Sequence, residues 1–311
     1  MKGIADWEEE KGMIIIKAMG GLGNQLQQYA LYEKMVSLGK KVAFDTNWFE
    51  DTALQNSMLA PRKLELSYFP GVSYRKASAE EIAKVYGKDD IWGKLIRKAV
   101  PGANHRFYES QMYHPEVFEK DTAYLEGYWA AEKYYADILT QLREKLYFPT
   151  PNEENSKIAA QIKAAPYSVS MHVRRGDYLD PANKAMFGDI CTPAYYDAGI
   201  ARIKKEYPEA LFFVFSDDPA YVREHYASPE FVSVDINHGE DSFFDIYLMS
   251  LCDANICANS TFSFWGARLN PSPRKIMIRP SIHKNSQVFV PEQMHDLWKN
   301  WLLIDPQGNL V

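Results

Sequence analysis

The sequence predicts an α/β protein of two domains, the second a doubly wound parallel sheet. Three observations carry this. A short apolar run, Met13–Met19, leads into glycines and then into residues at helical spacing, which is one strand-loop-helix unit. After a stretch rich in turn formers, 148–156, short apolar runs and amphipathic segments alternate to near the end of the chain. The 311 residues suit two domains of roughly 150 residues.

In the first half, Met13–Met19 reads as a buried strand. The helix that follows carries Leu26, Tyr29, Ala30, Met35 and Leu38 near 3.6-residue spacing, and Gly39 suits its end. Lys41–Asp45 is a second strand. Residues 50–120 mix aromatics, prolines and short amphipathic pieces. Within them Asp90–Val100 is apolar on one face and basic on the other. The expected reading is a helix packed on its own domain with its lysines in solvent, ahead of a helix lying on a membrane surface. Tyr124–Tyr128 reads as a strand and Ala131–Leu146 as one helix. The domain boundary is expected at 150/151.

In the second half the expected strands are Tyr167–Val173, Leu211–Ser216, Phe231–Ile236, Ala254–Ala258 and Lys275–Arg279. The expected helices are Pro193–Tyr207, Pro219–His225, Ser242–Leu251 and Thr261–Leu269. The tryptophan-rich segment Met294–Leu303 reads as a last helix that packs back on the body of the protein.

Composition excludes several function classes. The net charge of -6 argues against a general nucleic-acid binder, whose affinity rests on phosphate contacts. It leaves room for a local basic pocket for one phosphorylated ligand. Cys191, Cys252 and Cys257 are too few and too unevenly spaced for a disulfide framework or a zinc site. Reduced thiols point to a cytoplasmic setting. No apolar run reaches the ~18 residues of a membrane helix. The acidic start, residues 1–12, reads as a solvated extension and lacks the apolar core of a secretory signal.

In parallel α/β sheets ligands bind beyond the carboxyl ends of the strands, and four loops in such positions are informative. MHVRRGDYLD, Met171–Asp180, places His172, Arg174 and Arg175 directly after a buried strand. Alternation puts His172 and Arg174 on one side and Arg175 on the other. Arg174 can then face an anion such as a diphosphate, to which its planar fork donates two parallel hydrogen bonds. Arg175 is left to turn toward a carboxylate such as Asp177. The competing reading is a surface ion-pair cluster. GGLGNQ, Gly20–Gln25, stands between strand and helix, but it lacks the last glycine of a dinucleotide fingerprint. A tight turn explains it as well as a ligand site does. ANSTFSFWGARL, Ala258–Leu269, opens a helix with hydroxyls, which serve either as a cap or as part of an anion site. Phe262, Phe264 and Trp265 read more readily as core than as a platform for a ligand. In FSDDPAY the adjacent Asp217 and Asp218 precede a proline-started helix, so a helix cap is preferred to a metal site.

Taken in order, GGLGNQLQQYA, YLEGYWAAEKYY, HVRRGDYL, FSDD and ANSTFSFWGA resemble the α-1,2-fucosyltransferases, glycosyltransferase family 11. The HxRRxD element is shared more loosely with other fucosyltransferases, so it indicates the donor more than the linkage. The resemblance implies a GT-B fold of two facing Rossmann-like domains, 13–150 on the acceptor side and 151–311 binding GDP-fucose. It implies inverting transfer without a metal or other cofactor onto the 2-hydroxyl of a sugar, with terminal β-galactose the family expectation. Carried over by position, Arg174 contacts the diphosphate with His172 beside it, and Asn24 enters from the first domain. Ser260 and Thr261 contact phosphate or ribose. Asp245 reads guanine, whose N1–H and exocyclic amine would supply the donors that a carboxylate among apolar residues needs. Taken alone, Asp245 would be an exposed helix residue. Donor contacts are also expected from Gly21, Gly23 and Gln25, from Arg175 and Asp217, and from Asn259, Phe262 and Ser263. Arg174, His172, Asp177 and Asn24 are the expected catalytic group. No residue stands out as general base; Asp45, Glu126, Asp180 and Asp189 are candidates, and a dissociative reaction with late proton loss needs no strong one. Gln27, where relatives often carry Phe or Met, and Ala130-Ala131, where many have Gln-Ser, depart from the pattern and bear on acceptor choice. The alternatives are another GDP-sugar, another fucosyl linkage, or a carbohydrate-binding protein using its aromatics as platforms. The expected partners are the sugar nucleotide and an oligosaccharide acceptor, with no nucleic acid.

Overall fold

The computed structural model describes residues 12–58, 60–88, 90–100, 103–110 and 112–311, without the side chains of Ile96, Arg97 and Asp177. The first eleven residues of the expected extension lie outside the described set. The chain forms two compact units, Met1–Ser67 with Gly71–Glu144, and Tyr68–Pro70 with Lys145–Val311.

The first unit is built on strands β1 (Met13–Lys17), β2 (Lys41–Asp45), β3 (Arg106–Tyr108) and β4 (Ala123–Glu126). They lie in the order β2-β1-β4-β3, all parallel. Ile14, Ile15 and Ile16 are all fully buried, as a central parallel strand covered on both faces requires. The helix Leu22–Ser37 links β1 to β2, and Gly39 at φ 75° provides the left-handed residue that lets the chain turn back.

Two expectations in this unit fail. Residues 131–146 do not form one helix. They form two 3-10 turns, Glu132–Tyr134 and Ala136–Ile138, and a short helix, Leu139–Lys145. Tyr134 and Tyr135 are adjacent and both fully buried, which a regular one-faced helix cannot arrange, and Tyr135 at φ -145° breaks the run. The helix Ile91–Ala99 does form. It does not bury its apolar face, for Ile91, Trp92 and Leu95 are exposed.

The second unit is a six-stranded parallel sheet of β5 (Ser168–Val173), β6 (Leu211–Ser216), β7 (Phe231–Val234), β8 (Ala254–Ile256), β9 (Met277–Pro280) and β10 (Trp301–Ile304). The order is β10-β9-β8-β5-β6-β7. Counted from β5 and read from the β7 edge, that is 3-2-1-4-5-6, the doubly wound order with its switch point between β5 and β8. Both faces are covered. Val169, Met171 and Val173 pack with Tyr195, Ile203 and Val222 from the helices Pro193–Lys204 and Pro219–His225. On the other face Phe213 and Phe215 pack with Ile162, Leu248 and Met249 from the helices Glu153–Ala164 and Phe243–Leu251.

The tryptophan-rich end differs from expectation. It is helical only over Pro291–Leu297; Asn300 then takes φ 68°, and Trp301–Ile304 pairs with β9 as an edge strand. The segment thus completes the second sheet instead of packing back as a helix. The assignment of Tyr68–Pro70 to this unit was not legible in the sequence. The Tyr68 ring packs tilted and the Phe69 ring edge-on against Phe243, and Phe69 also meets Phe148.

Candidate active site

The switch point puts two loops side by side at the carboxyl edge of the sheet: the one leaving β5 and the one leaving β8. The β5 loop is tied down by one carboxylate. Asp217, just past β6, accepts the backbone N–H groups of Arg175 and Gly176 on Oδ1, at 2.8 and 2.9 Å. Its Oδ2 lies 2.9 Å from Nη1 of Arg174. A Cβ on Gly176 would meet that same oxygen at 2.4 Å, so a larger residue there must displace the Asp217 carboxylate.

Arg175 leaves in another direction. Its Nε donates to Asp218 at 3.0 Å and its guanidinium lies 3.9 Å above the Tyr221 ring. Asp218 also caps the helix Pro219–His225 by accepting the N–H of Tyr221. That cap first, and Arg175 second, hold its carboxyl below the usual range. The two arginines are therefore separated as alternation along the strand requires, but the carboxylate on Arg175 is Asp218. The Asp177 side chain, expected there and in catalysis, lies outside the described set.

His172 points from β5 to the same side as Arg174. It is buried, and burial first and the Arg174 charge second push its imidazole down to about 4, so the ring is neutral near pH 7. Its Nδ1 has no partner among the described residues. Its ring lies 6.0 Å from that of Phe262, which brings the β5 end to the loop after β8. A second link is the Tyr178 hydroxyl, which donates to the Asn259 carbonyl at 3.0 Å while its ring sits 5.6 Å from the Arg174 guanidinium. Tyr178 went unnoticed in the sequence because nothing but the fold places a hydroxyl four residues past Arg174 opposite Asn259.

The helix Thr261–Leu269 starts at this point with Ser260 in the capping position, yet Ser260 makes no side-chain cap. A helix start at the carboxyl edge of such a sheet favours an anion. Two neighbours expected to touch the ligand also have partners within the protein. Asn259 is buried and donates to the Phe187 and His283 carbonyls. Ser263 is buried and donates to the Ser260 carbonyl. Asp217, also expected there, is committed to Arg174 and the loop. These three hold the site's shape.

Asp245 sits in the first turn of Phe243–Leu251 and is half-buried, not the exposed residue its isolated position suggests. Asn237 donates to it at 2.8 Å and is itself locked in a reciprocal amide pair with Asn155. Desolvation dominates and raises the carboxyl to about 7.

In the first unit, Gly20 takes φ 82°, so the turn demands glycine there, whereas Gly21, which caps the helix Leu22–Ser37, is extended and leaves room for a Cβ. Gly23 is buried within the helix. Gln25 is an internal clip. Its amide donates to the Gly20 and Lys63 carbonyls and accepts the N–H of Glu65. Asn24, in the first turn of that helix, is half-buried with its side-chain amide against Gly20. Gln27 is fully buried with neither end of its amide bonded among the described residues, a feature the sequence did not announce. Of the base candidates, Asp45 accepts from the Tyr124 hydroxyl, Glu126 pairs with Lys17, and Asp180 caps the helix Pro181–Phe187. Asp189 is exposed at φ 58°.

No group of three or more His, Cys, Asp or Glu among the described residues could hold a metal ion. No helix there is long and apolar enough to cross a membrane.

The chain is similar to several known proteins. An α-1,2-colitosyltransferase of Escherichia coli is 26% identical over 86% of this chain and 91% of its own length. The O-antigen biosynthesis glycosyltransferase WbnK of Escherichia coli is 27% identical over 84% of the chain and 91% of its own. The galactoside 2-alpha-L-fucosyltransferase Sec1 of Mus musculus is 23% identical over 83% of the chain and 65% of its own. Among solved structures, NodZ α-1,6-fucosyltransferase soaked with GDP-fucose aligns at 15% identity with a TM-score of 0.45, covering 86% of this chain and 95% of that one. The glycosyl transferase family 11 profile spans residues 4–305, taking in the glycine loop, the paired arginines and the hydroxyl-rich helix start, and the chain belongs to that family.

Proposed function

We propose that the protein transfers L-fucose from GDP-fucose, with inversion and without a metal, to the 2-hydroxyl of a terminal galactoside. The observation that carries this reading is that the Arg174 loop and the loop leading into Thr261–Leu269 meet at the switch point of the second sheet, through Tyr178 and Asn259 and through His172 and Phe262. In this reading the diphosphate lies between them, and Arg174 turns from Asp217 toward it. As the glycosyl bond breaks, charge grows on the leaving phosphate. A fixed guanidinium and helix N–H groups meet it, each worth a factor of about 10²–10³. Asp217 and Asp218 are tied to arginines and backbone amides, so neither is disposed to bind a metal. Neutral His172 lines the same wall and can accept or donate one hydrogen bond to the sugar nucleotide. Ionised Asp245 takes the guanine edge. The sugar ring becomes oxocarbenium-like, and the acceptor proton leaves late.

The colitosyl relative supports a second reading, in which the donor carries a different deoxysugar. The test is a matrix of donors and acceptors. GDP-fucose, other GDP-sugars and a colitose donor are offered with terminal galactosides and other sugars, GDP release is measured, and the product linkage is assigned by NMR. Fucosyl transfer to galactose O2 supports the proposal. Preferred turnover of another donor, or another linkage, overturns it in that particular.

A further inference from the structure

The helix Thr261–Leu269 and strand β9 enclose a second cationic feature, separate from Arg174. Arg268 and Arg279 are both fully buried. Arg279 lies 3.7 Å from the Trp298 ring centre and 4.6 Å from that of Phe264, and Arg268 lies 5.0 Å from Trp298. The Arg279 Nε donates to the Pro280 carbonyl, but Nη1 and Nη2 have no acceptor among the described residues. The same is true of the buried indole N–H of Trp298 and of Nδ1 of His283, whose ring also borders Phe264.

The main electrostatic influences on Arg279 are Arg268, Tyr195, Cys257 and Cys191, none of them a carboxylate. Aromatic faces offset part of such a charge. They do not satisfy in-plane N–H donors, and buried donors in native proteins are almost always bonded to protein, water or an ion. Unpaired buried charge is unfavourable enough that a counter-charge is expected.

We propose that Arg279 and Trp298 form a structural binding site for a small, weakly hydrated monoanion, with chloride the natural occupant. The aromatic walls of Phe264 and Trp298 suit a halide, which needs few donors, over phosphate, which needs many. The site lies behind the start of Thr261–Leu269, since Phe264 is one turn in and Arg268 two, so the bound ion would brace this helix from beneath.

The test uses the whole protein at constant ionic strength, with sodium chloride replacing sodium gluconate. The expected result is a melting temperature that rises by about 2–4 °C for each tenfold increase in chloride above its Kd. In Arg279→Met that dependence is lost, and the variant melts above wild type in gluconate because an uncompensated buried charge is gone. Trp298→Phe, which keeps the ring and removes one donor, requires several-fold more chloride. The ³⁵Cl NMR line is broadened by wild type and not by Arg279→Met. A wild-type melt indifferent to chloride overturns the proposal even if Arg279→Met does not fold, as does equal chloride dependence in both proteins. A chloride shift that vanishes in saturating GDP would place the anion in the nucleotide site and overturn it too.

Discussion

Arg174 and Arg175 are adjacent in sequence but answer to different carboxylates, Asp217 for the first at 2.9 Å and Asp218 for the second at 3.0 Å. Their substitutions should fail differently. Arg174 is partly exposed, so its ion pair contributes about 0–1 kcal/mol to stability. Arg174→Ala is expected to melt within a few degrees of wild type and to lose roughly 10²-fold in turnover, because its charge matters most as the phosphate departs. Arg174→Lys should recover little, since an ammonium cannot form the bidentate fork. Arg175→Ala loses both the Asp218 pair and the stack on Tyr221, and should lower melting temperature and activity together. Steady-state kinetics and thermal melts on the three proteins decide it; a folded Arg174→Ala with near-normal turnover removes Arg174 from the chemistry.

Gly176 offers a finer probe of the same loop. Its Cα approaches Asp217 so closely that an added Cβ would meet Oδ2 at 2.4 Å. Gly176→Ala must push that carboxylate away from Arg174 and from the two backbone N–H groups. The expected outcome is a fold that survives, because the loop lies at the sheet edge, with KM for the donor raised about tenfold or more as the loop loses its preorganised geometry. Unchanged donor KM with wild-type turnover would show that the loop can close without this contact.

Much of the second unit was legible because both the period and the punctuation of its sequence agree with its fold. Leu211–Ser216, Pro219–His225 and Thr261–Leu269 fall where the apolar runs, the proline start and the hydroxyl-rich start put them. The capping role of Asp218 followed from Pro219 in the same way. What failed was set by tertiary contacts. Trp301–Ile304 is a strand because β9 has a free edge to pair with, and no local pattern records that. Nor does any local pattern record that Asn259, Ser263 and Gln25, which the family resemblance places at the donor, also bond backbone groups up to 72 residues away. The desolvation of Asp245 was hidden for the same reason, since Asn237 and Asn155 meet only in the fold.

Chelation is expected to leave activity nearly unchanged. The carboxylates nearest the arginine loop, those of Asp217 and Asp218, are each bonded to an arginine and to backbone N–H groups, which leaves them poorly placed to ligate a cation. Turnover measured after EDTA treatment and dialysis should match that of untreated enzyme. A loss of most activity that Mn²⁺ or Mg²⁺ restores would overturn the metal-free mechanism while leaving the family assignment intact.

The pH dependence of nucleotide binding should come from Asp245. Burial raises its carboxyl to about 7 in the free protein. A raised folded value means that the neutral acid is the form the fold prefers, so its contribution to stability is present at low pH and is lost as pH rises from the ordinary carboxylate range through about 7. Guanine reverses the preference, because its N1–H and exocyclic amine donate to the ionised form. GDP affinity should therefore climb as pH rises from 6 to 8, with proton release on binding that is largest below pH 7. Asp245→Asn keeps the shape and one acceptor but cannot ionise. It should bind GDP at least tenfold more weakly at pH 8, show a flat profile over the same range, and melt above wild type at pH 8, where wild type carries a desolvated charge. Uridine diphosphate, which lacks the guanine edge, should bind both proteins alike and without this pH dependence. Calorimetry in two buffers of different ionisation enthalpy measures affinity and proton count together. A pH-independent GDP affinity in wild type, or an Asp245→Asn variant that binds GDP as tightly as wild type at pH 8, would leave Asp245 a buried partner of Asn237 with no part in reading the base.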